Sequence, residues 1–263
     1  IIRNATENPA HTISGLTIRI SKPPSEVSYQ FYLRNAIIIQ DSRIIRKELC
    51  PFLYWIVNVD LLGYLYPGLA ECELAGVPDW SDLEHPWEIL QEGENGLLAQ
   101  ISRILGEDGV FIHESAKIGK FVHIEGPSFV GPNAEIRHSS YLRKGSWICE
   151  GALVGHSSEI KNSVLLPGSK APHFNYVGDS ILGFGVNLGA GVKLSNVRND
   201  GRDVIVIMED GERIETGLRK LGSLIGDHSQ LGCNVVTNPG AILAPSSMVP
   251  PNETVTGWFS TKS

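Results

Sequence analysis

The sequence predicts an all-β, left-handed parallel β-helix over residues 108–258, preceded by a smaller α+β region over residues 1–107. An aliphatic residue recurs at every sixth position from Ile112 to Leu166, and a small residue follows four positions after almost every one of them. A second run with the same period extends from Ile225 to Val255. Because a period of six fits neither an amphipathic helix nor an alternating strand, it indicates the hexapeptide repeat, in which three hexads close one triangular coil.

Each hexad is expected to supply one short strand and one corner, with its aliphatic residue inside the coil. We therefore predict that ten side chains of the first run point inward: Ile112, Ile118, Ile124, Val130, Ile136, Leu142, Ile148, Val154, Ile160 and Leu166. The period is lost over residues 167–176 and is followed by a five-residue step from Val177 to Leu182.

Residues 1–107 lack this period and are predicted to form a separate N-terminal region. Leu16–Ile20 alternates apolar and polar residues, as in a half-buried strand. Apolar residues between Trp87 and Leu105 have a helical spacing. We place the domain boundary at Gly106–Gly109, just before the first hexad, and treat residues 259–263 as a short tail.

Residues 198–222 separate the two hexad runs and are predicted to form an inserted loop or hairpin. Glu209-Asp210-Gly211 lies between two apolar stretches and is a hairpin-turn signal. Arg213, Arg219 and Lys220 make the segment locally basic. We expect this insertion to project from one corner of the β-helix. Because long loops on a rigid scaffold often carry function, we also expect it to have a functional role.

Charge and cysteine content exclude several classes of protein. A net charge of −7 and a pI near 5.6 give no electrostatic footprint for nucleic acid or an anionic membrane surface. The four cysteines form no C-x-x-C pair, so we predict reduced thiols without a zinc knuckle or a disulfide framework. The sequence shows no signal peptide and no apolar stretch able to span a bilayer, so a cytoplasmic protein is expected.

The segment Gly168–Asn196 breaks the hexad rule and contains most of the polar groups suited to chemistry. It reads GSK-A-x-H-x-x-Y-x-G-D, followed by G-x-x-V-N-x-G-A-G and an asparagine. These motifs resemble the acetyltransferase domain of bifunctional N-acetylglucosamine-1-phosphate uridyltransferases/glucosamine-1-phosphate N-acetyltransferases and that of related archaeal-type sugar-1-phosphate nucleotidyltransferases. The resemblance covers roughly residues 110–258.

The resemblance implies a role for eight residues. The family's catalytic histidine, which takes a proton from the attacking amine, falls on His173. The tyrosine and asparagine that hold the amino sugar fall on Tyr176 and Asn187. Positions lining the acetyl-CoA site fall on Ala190 and Asn196 and, with an approximate match only, on Arg202.

The family's arginine and lysine that neutralise the sugar phosphate fall on Arg143 and Lys161. The periodicity supports this placement independently, because residues 18 apart lie one strand spacing from each other on adjacent coils. We expect both cations to point from the same face and to clamp a phosphate. Taken without the resemblance, such a pair is an ordinary feature of a solvated surface.

The other histidines predict no metal site. A zinc-dependent trimeric β-helix enzyme, such as a γ-type carbonic anhydrase, needs histidines that converge between subunits. The spacings of His138, His156 and His173 let two of them stack, but the sequence has no H-x4-H pair. We therefore expect acetyl transfer without a metal.

The resemblance implies an acetyl-CoA-dependent N-acetyltransferase that acts on an amino-sugar phosphate or a nucleotide-linked amino sugar and works as a homotrimer. The sequence departs from the family in residues 1–105, which lack the glycine-rich phosphate loop L-x-x-G-x-G-T-R of the uridylyl-transfer domain. Two alternatives follow from this departure. One is a non-catalytic β-helix module that binds a sugar nucleotide or mediates assembly; the other is a sugar-1-phosphate nucleotidyltransferase homologue that has lost its transfer site.

Overall fold

The chain forms two compact units, residues 1–60 and residues 61–263. The computed structural model describes residues 11–13, 16–18, 61–70, 76–106 and 108–261. In the first unit, β1 (His11–Ile13) pairs with β2 (Leu16–Ile18) in antiparallel register. The last two residues of the predicted strand Leu16–Ile20 lie outside the described residues.

The second unit contains a triangular prism of three parallel sheets, to which each coil contributes one strand per sheet. The first face comprises β3 (Val110–Ile112), β6 (Ser128–Val130), β9 (Ser146–Ile148), β12 (Ser163–Leu165), β15 (Ile181–Leu182), β20 (Ser223–Ile225), β23 (Ala241–Leu243) and β26 (Trp258–Phe259). The second face comprises β4 (Lys117–Ile118), β7 (Glu135–Ile136), β10 (Leu153–His156), β13 (Lys170–His173), β16 (Asn187–Leu188), β21 (Gln230–Leu231) and β24 (Met248–Val249). The third face comprises β5 (His123–Ile124), β8 (Tyr141–Leu142), β11 (Glu159–Lys161), β14 (Tyr176–Gly178), β17 (Lys193–Leu194), β22 (Val236–Thr237) and β25 (Thr254–Val255).

The prediction of a left-handed parallel β-helix is confirmed. Interior side chains of successive coils stack in register, as in the columns that contain Val130 with Ile148 and Ile136 with Val154. The hexad residues from Val130 to Ile160 are fully buried in one continuous apolar core. The core grows coil by coil, because no single coil could bury its own interior.

The prediction that Leu166 points inward is wrong. Leu165 occupies the interior position, in register with Ile148 below it and Leu182 above it. Leu166 lies outside the coil in a second apolar cluster on the first face. The spacing between interior residues is five, not six, from Ile160 to Leu165. Counting six residues from Ile160 therefore gives Leu166 in place of Leu165.

The start of the β-helix is less buried than its middle. Ile112 pairs in register with Val130 and Ile118 with Ile136, so both occupy interior columns. They are nevertheless 42% and 41% exposed. Among the described residues no coil stacks below them, and the hexad rule cannot bury an end coil.

Residues 61–70 and 76–106 cover the first face of the prism. This covering segment contains α1 (Leu61–Leu65), two 3₁₀ helices (Pro67–Ala70 and Pro86–Leu90) and α2 (Leu97–Leu105). Its buried side chains pack with outward-facing residues of the first face, among them Trp147, Val164 and Leu224. The sequence analysis assigned this segment to the N-terminal region, whereas it belongs to the same compact unit as the coils.

The covering segment shields a ladder of aromatic rings. Phe111, Phe129 and Trp147 stack on successive coils of the first face, with ring centroids 4.9 Å apart at both steps. The indole Nε1 of Trp147 donates to the backbone oxygen of Gly76 at 2.9 Å. Phe129 and Trp147 therefore pack in the apolar cluster that includes the covering segment, and this segment also accepts the hydrogen bond of the indole.

A buried carboxylate fixes the start of the covering segment to the coils. Asp227 accepts hydrogen bonds from the backbone nitrogens of Gly68 at 2.9 Å and Phe184 at 2.8 Å. Its own amide donates to the oxygen of Leu65 at 2.9 Å. Burial raises the pKa of the Asp227 carboxyl, although the two hydrogen bonds and nearby His228 oppose that rise.

The insertion forms an antiparallel hairpin of β18 (Ile205–Ile207) and β19 (Arg213–Glu215). Val204 and Val206 are fully buried in the apolar cluster of the first face. The hairpin thus packs against the prism and does not project freely from a corner. Of the helices in the described parts of the chain, none is long and apolar enough to cross a membrane.

Candidate active site at the corner between the second and third faces

The second and third faces meet at a corner that joins β13 to β14. Of the three faces of the prism, only the first contributes strand residues to the apolar cluster outside the coils, so the described part of the covering segment makes no apolar contact with this corner. At this corner, one residue per coil adopts a left-handed backbone conformation: Phe121, Ser139, Ser157, Phe174, Gly191, Asn234 and Asn252. The corner therefore offers polar side chains and backbone on a rigid frame.

His173 ends β13 at this corner and is exposed. Its backbone oxygen accepts a hydrogen bond from Gly191 at 2.9 Å. Its imidazole forms no hydrogen bond within the described part of the chain. The backbone is thus fixed while both ring nitrogens stay available to a substrate, as a general base requires.

Asn175 holds the backbone around His173. It is buried, and its Oδ1 accepts the amide of His173 at 2.9 Å. Its Nδ2 donates to the oxygen of Gly189 at 2.8 Å, and its own amide donates to Ser158 Oγ at 3.1 Å. Asn175 therefore connects the coil that carries His173 to the coil before it, through Ser158, and to the coil after it, through Gly189.

Tyr176 begins β14 and lies across the third face. Its hydroxyl accepts a hydrogen bond from Asn196 Nδ2 at 3.3 Å, which leaves the phenolic hydrogen free to be donated. Burial raises the pKa of Tyr176, and the neighbouring charges of Glu159 and Asp179 act in the same direction. A side chain at Gly178 would lie 2.6 Å from this hydroxyl, so a glycine there makes room for the tyrosine.

Arg143 and Lys161 are neighbours on adjacent coils, since the amide of Arg143 bonds the oxygen of Ile160 at 2.8 Å. Each cation is nevertheless paired with its own carboxylate. Arg143 Nη1 lies 2.9 Å from Glu159 Oε1, and this bond raises the pKa of the arginine. Lys161 Nζ lies 3.0 and 2.9 Å from the two oxygens of Asp179. Their joint action on a phosphate stays a prediction.

Asp179 is the centre of a buried network at the corner between the third and first faces. Its carboxylate accepts hydrogen bonds from Lys161, from Asn196 Nδ2 and, at 2.9 Å, from Asn162 Nδ2. Asn162 also donates to the oxygen of Leu90 at 2.9 Å. The network connects Tyr176, through Asn196, to the covering segment.

The three other predicted residues lie at different places. Ala190 is at the corner one coil above His173, where its oxygen accepts the amide of Asn234 at 2.9 Å. Asn187 pairs in register with Lys170, at the far end of β13, about 10 Å from His173 along a strand that rises roughly 3.3 Å per residue. Arg202 is exposed on the loop after Asn196 and is paired with Asp200 at 2.8 Å.

Comparison with known proteins was made by sequence and by structure. No protein-family model matches the sequence. A bifunctional sugar-1-phosphate nucleotidylyltransferase/acetyltransferase of Sulfurisphaera tokodaii is 39% identical over 185 residues, which are 67% of this chain and 46% of that protein. The bifunctional protein GlmU of Methanococcus maripaludis is 35% identical over 66% of this chain and 44% of its own length. The chain therefore spans under half the length of these two relatives.

A protein of Escherichia coli described as an uncharacterized acetyltransferase, YaiX, is similar over almost its whole length. It is 31% identical over 221 residues, which are 77% of this chain and 96% of YaiX. The chain belongs to the hexapeptide-repeat acetyltransferase family. The acetyltransferase domain of PglB from Neisseria gonorrhoeae, solved in complex with acetyl coenzyme A, gives a TM-score of 0.27 at 16% identity over 56% of this chain and 54% of that one.

Three histidines of this acetyltransferase-family chain form a partial column at the same corner. The rings of His138 and His156 stack with centroids 4.1 Å apart, and His156 pairs in register with His173. Among the described residues, no group of three or more His, Cys, Asp and Glu side chains is placed to hold a metal ion.

The sequence analysis missed three side chains that shape this acetyltransferase-family site. Glu159 balances Arg143, Asp179 balances Lys161, and Asn175 supports His173. Spacing could have found Glu159, which pairs in register with Tyr141 and Tyr176 on the third face. Asn175 gives no such signal, because it is one of the two unassigned residues within H-x-x-Y.

Proposed function

We propose that this chain is an acetyl-CoA-dependent N-acetyltransferase that acts on a phosphorylated amino sugar or a nucleotide-linked amino sugar. The observation that carries the proposal is His173, whose exposed imidazole lies at an open corner on a backbone fixed by Asn175. Membership in the acetyltransferase family supplies the reaction class. The site supplies groups with suitable chemistry for each step.

In the proposed reaction, the neutral amine of the sugar attacks the thioester carbonyl of acetyl-CoA. His173 accepts the proton that the nitrogen loses, and the CoA sulfur leaves as the carbon–sulfur bond breaks. The developing oxyanion needs a donor, and the phenolic hydrogen of Tyr176 is free to serve because its oxygen is held by Asn196. No metal is required in this scheme.

We further propose that the site is completed by a second copy of the chain in a homotrimer. Among the described residues, the apolar packing of the covering segment involves strands of the first face and none of the second or third, so a neighbouring prism is proposed to pack on those two faces. Asn187 supports this arrangement, because in one prism it lies at the opposite end of β13 from His173. A neighbour's Asn187 could instead approach the histidine from across the interface.

The phosphate of the acceptor is proposed to bind beside Arg143, with Lys161 behind it. Arg143 is partly exposed and its pairing with Glu159 is a surface contact that a phosphate can replace at small cost. Lys161 is more buried and bound to Asp179, so its contribution to phosphate binding is mainly through charge. Arg202 is proposed to face the acetyl-CoA.

The decisive test is release of free thiol from acetyl-CoA in the presence of a panel of amino-sugar phosphates, each with its dephosphorylated counterpart. Thiol release with a phosphorylated amino sugar, and formation of its N-acetyl product by mass spectrometry, supports the proposal. Absence of product with the whole panel favours a binding or assembly module. Light scattering at micromolar concentration should give about three times the 28.7 kDa of one chain.

A further inference from the structure

Phe174 stands in an unfavourable backbone conformation beside His173. Its φ of 53° is left-handed, a region that a bulky L-residue rarely adopts. Other coils place serine, glycine or asparagine at the equivalent corner position, with Phe121 as the one other aromatic among those described. A phenylalanine at this position therefore works against the local stability of the corner.

Burial of the Phe174 ring does not compensate for the unfavourable backbone conformation. Phe174 is 57% exposed, and its ring meets the ring of His156 at a centroid distance of 5.3 Å and an interplanar angle of 75°. An exposed aromatic ring held over a strained backbone gains little for the fold itself. Strained positions of this kind persist where the surroundings enforce them, and they concentrate at functional sites.

The surroundings of Phe174 enforce its position from both sides. Its amide donates to the oxygen of His156 at 3.0 Å. The side chain of Asn175 bonds the amide of His173 on one side and the oxygen of Gly189 on the next coil. The backbone of Phe174 is thus fixed between His173 and Tyr176 in the chain, the two residues to which the proposed reaction assigns chemistry, and its ring rests against the ring of His156.

We infer that Phe174 is the platform on which the ring of the acceptor amino sugar rests while its nitrogen faces His173. This inference deepens the proposed function and rests on it. A hexose ring presents a face of C–H groups that an aromatic ring can desolvate, and an amino group that is still protonated is attracted to the face of the ring. Phe174 would then determine the position and choice of the acceptor, without taking part in proton transfer.

The test compares Phe174→Asn with Phe121→Asn. Asparagine tolerates the left-handed conformation, as Asn234 and Asn252 show at the same corner, so each variant removes a ring and relieves strain together. Phe121 is the matched control, because it has a φ of 60° and is 85% exposed but lies three coils from His173. The readouts are KM for the acceptor, KM for acetyl-CoA, melting temperature and oligomeric mass.

We expect both variants to melt at or above the temperature of the parent. Phe174→Asn should raise KM for the acceptor by about 2- to 30-fold, the range for loss of one aromatic contact with a cation, with KM for acetyl-CoA unchanged. Phe121→Asn should leave both constants unchanged. Phe174→Leu, which keeps an apolar side chain without a ring face, should resemble Phe174→Asn in acceptor KM.

Three results would overturn the inference. An acceptor KM unchanged in Phe174→Asn, in an active parent, refutes the platform and leaves the proposed acetyltransferase intact. A loss of oligomeric mass in Phe174→Asn identifies the ring as a subunit contact and not a sugar platform. A parent that acetylates no amino sugar removes the proposed function, and the inference falls with it.

Discussion

The backbone amide of His173 donates a hydrogen bond of 2.9 Å to the side-chain Oδ1 of Asn175, two residues further along the chain. This bond shapes the corner that carries the proposed general base. Because Asn175 is buried, the groups that it bonds cannot form replacement hydrogen bonds with water when its side chain is removed.

Asn175→Ala should therefore lower both stability and turnover. It leaves the amide of His173 and the oxygen of Gly189 without their partner, which costs about 1–3 kcal/mol for each buried polar group left unsatisfied. Thermal unfolding and kcat for the best acceptor measure the two effects. Asn238→Ala is the control, since the side chain of Asn238 donates to Thr256 in an exposed pair. Equal losses in both variants would count against a special role for Asn175.

His173→Ala should lower kcat by about 10²–10⁴-fold, the usual contribution of a general base. Binding of acetyl-CoA, measured by calorimetry, should be nearly unchanged because the histidine acts on the amine. His113→Ala is the control, since the ring of His113 bonds Ser115 on the first coil, three coils from His173. Full turnover by His173→Ala would leave the fold assignment standing and refute the mechanism.

Arg143→Met and Lys161→Met should have different consequences, although the sequence treats the two cations as one clamp. Lys161→Met leaves the buried carboxylate of Asp179 without its cation, which costs about 3–5 kcal/mol of folding stability. Arg143→Met breaks a half-exposed pair, so it should change stability by less than about 1 kcal/mol. Urea denaturation measures both.

Arg143→Met should instead raise KM for a phosphorylated acceptor by the equivalent of roughly 1.5–3 kcal/mol, as for a hydrogen bond to a charged group. The dephosphorylated acceptor should not respond to the substitution. Identical changes in KM for both acceptors would show that Arg143 supports the third face and does not contact phosphate.

Ile136→Asp should destabilise the prism by several kcal/mol, because it places an unpaired carboxylate in a fully buried column. Ile118→Asp occupies the same column one coil earlier and should cost much less, since Ile118 is 41% exposed. Melting temperatures of the two variants measure the contrast. Parent-like melting of Ile136→Asp would mean that the coil register has been assigned wrongly.

Asp227 should give the protein a measurable pH dependence of stability. Its pKa is raised in the folded state by burial, so its contribution is fully present below the unfolded-state value near 3.8 and is lost as the pH rises through the higher folded value. Relative to Asp227→Asn, the parent should therefore lose stability as the pH rises above about 3.8. Parallel melting curves against pH for the two proteins would contradict this assignment.

The hexad period predicted the fold because each coil repeats the same burial requirement. Ile136, Leu142 and Ile148 could be placed inside the coil from their spacing alone. The same rule failed at Leu166. The step from Ile160 is five residues long there, so Leu165 takes the interior position and the equally hydrophobic Leu166 lies outside. A pattern of residue types cannot distinguish them, since only the strand pairing with Ile148 decides.

The candidate site was predictable where a motif carried it and not where three-dimensional pairing did. Resemblance placed His173 and Tyr176, and the 18-residue spacing placed Arg143 next to Lys161. The same 18-residue spacing separates Lys161 from Asp179 and also indicates their pairing. Neither signal indicates that Asn162 and Asn196 bond the same carboxylate, because Asp179 lies in a left-handed turn with a φ of 47°. The covering segment was also missed, since its apolar residues have no period in common with the coils.

The covering segment has a consequence for how this chain is made. Phe111, Phe129 and Trp147 would otherwise form a flat strip of stacked rings, a surface on which partly folded chains aggregate. Residues 61–106 precede these rungs in the chain, so during synthesis they leave the ribosome first. Because the covering segment and the aromatic residues are in the same chain, the segment is present at a local concentration that a separate protein in solution does not reach. The Phe129 and Trp147 rungs can therefore be covered as soon as they form.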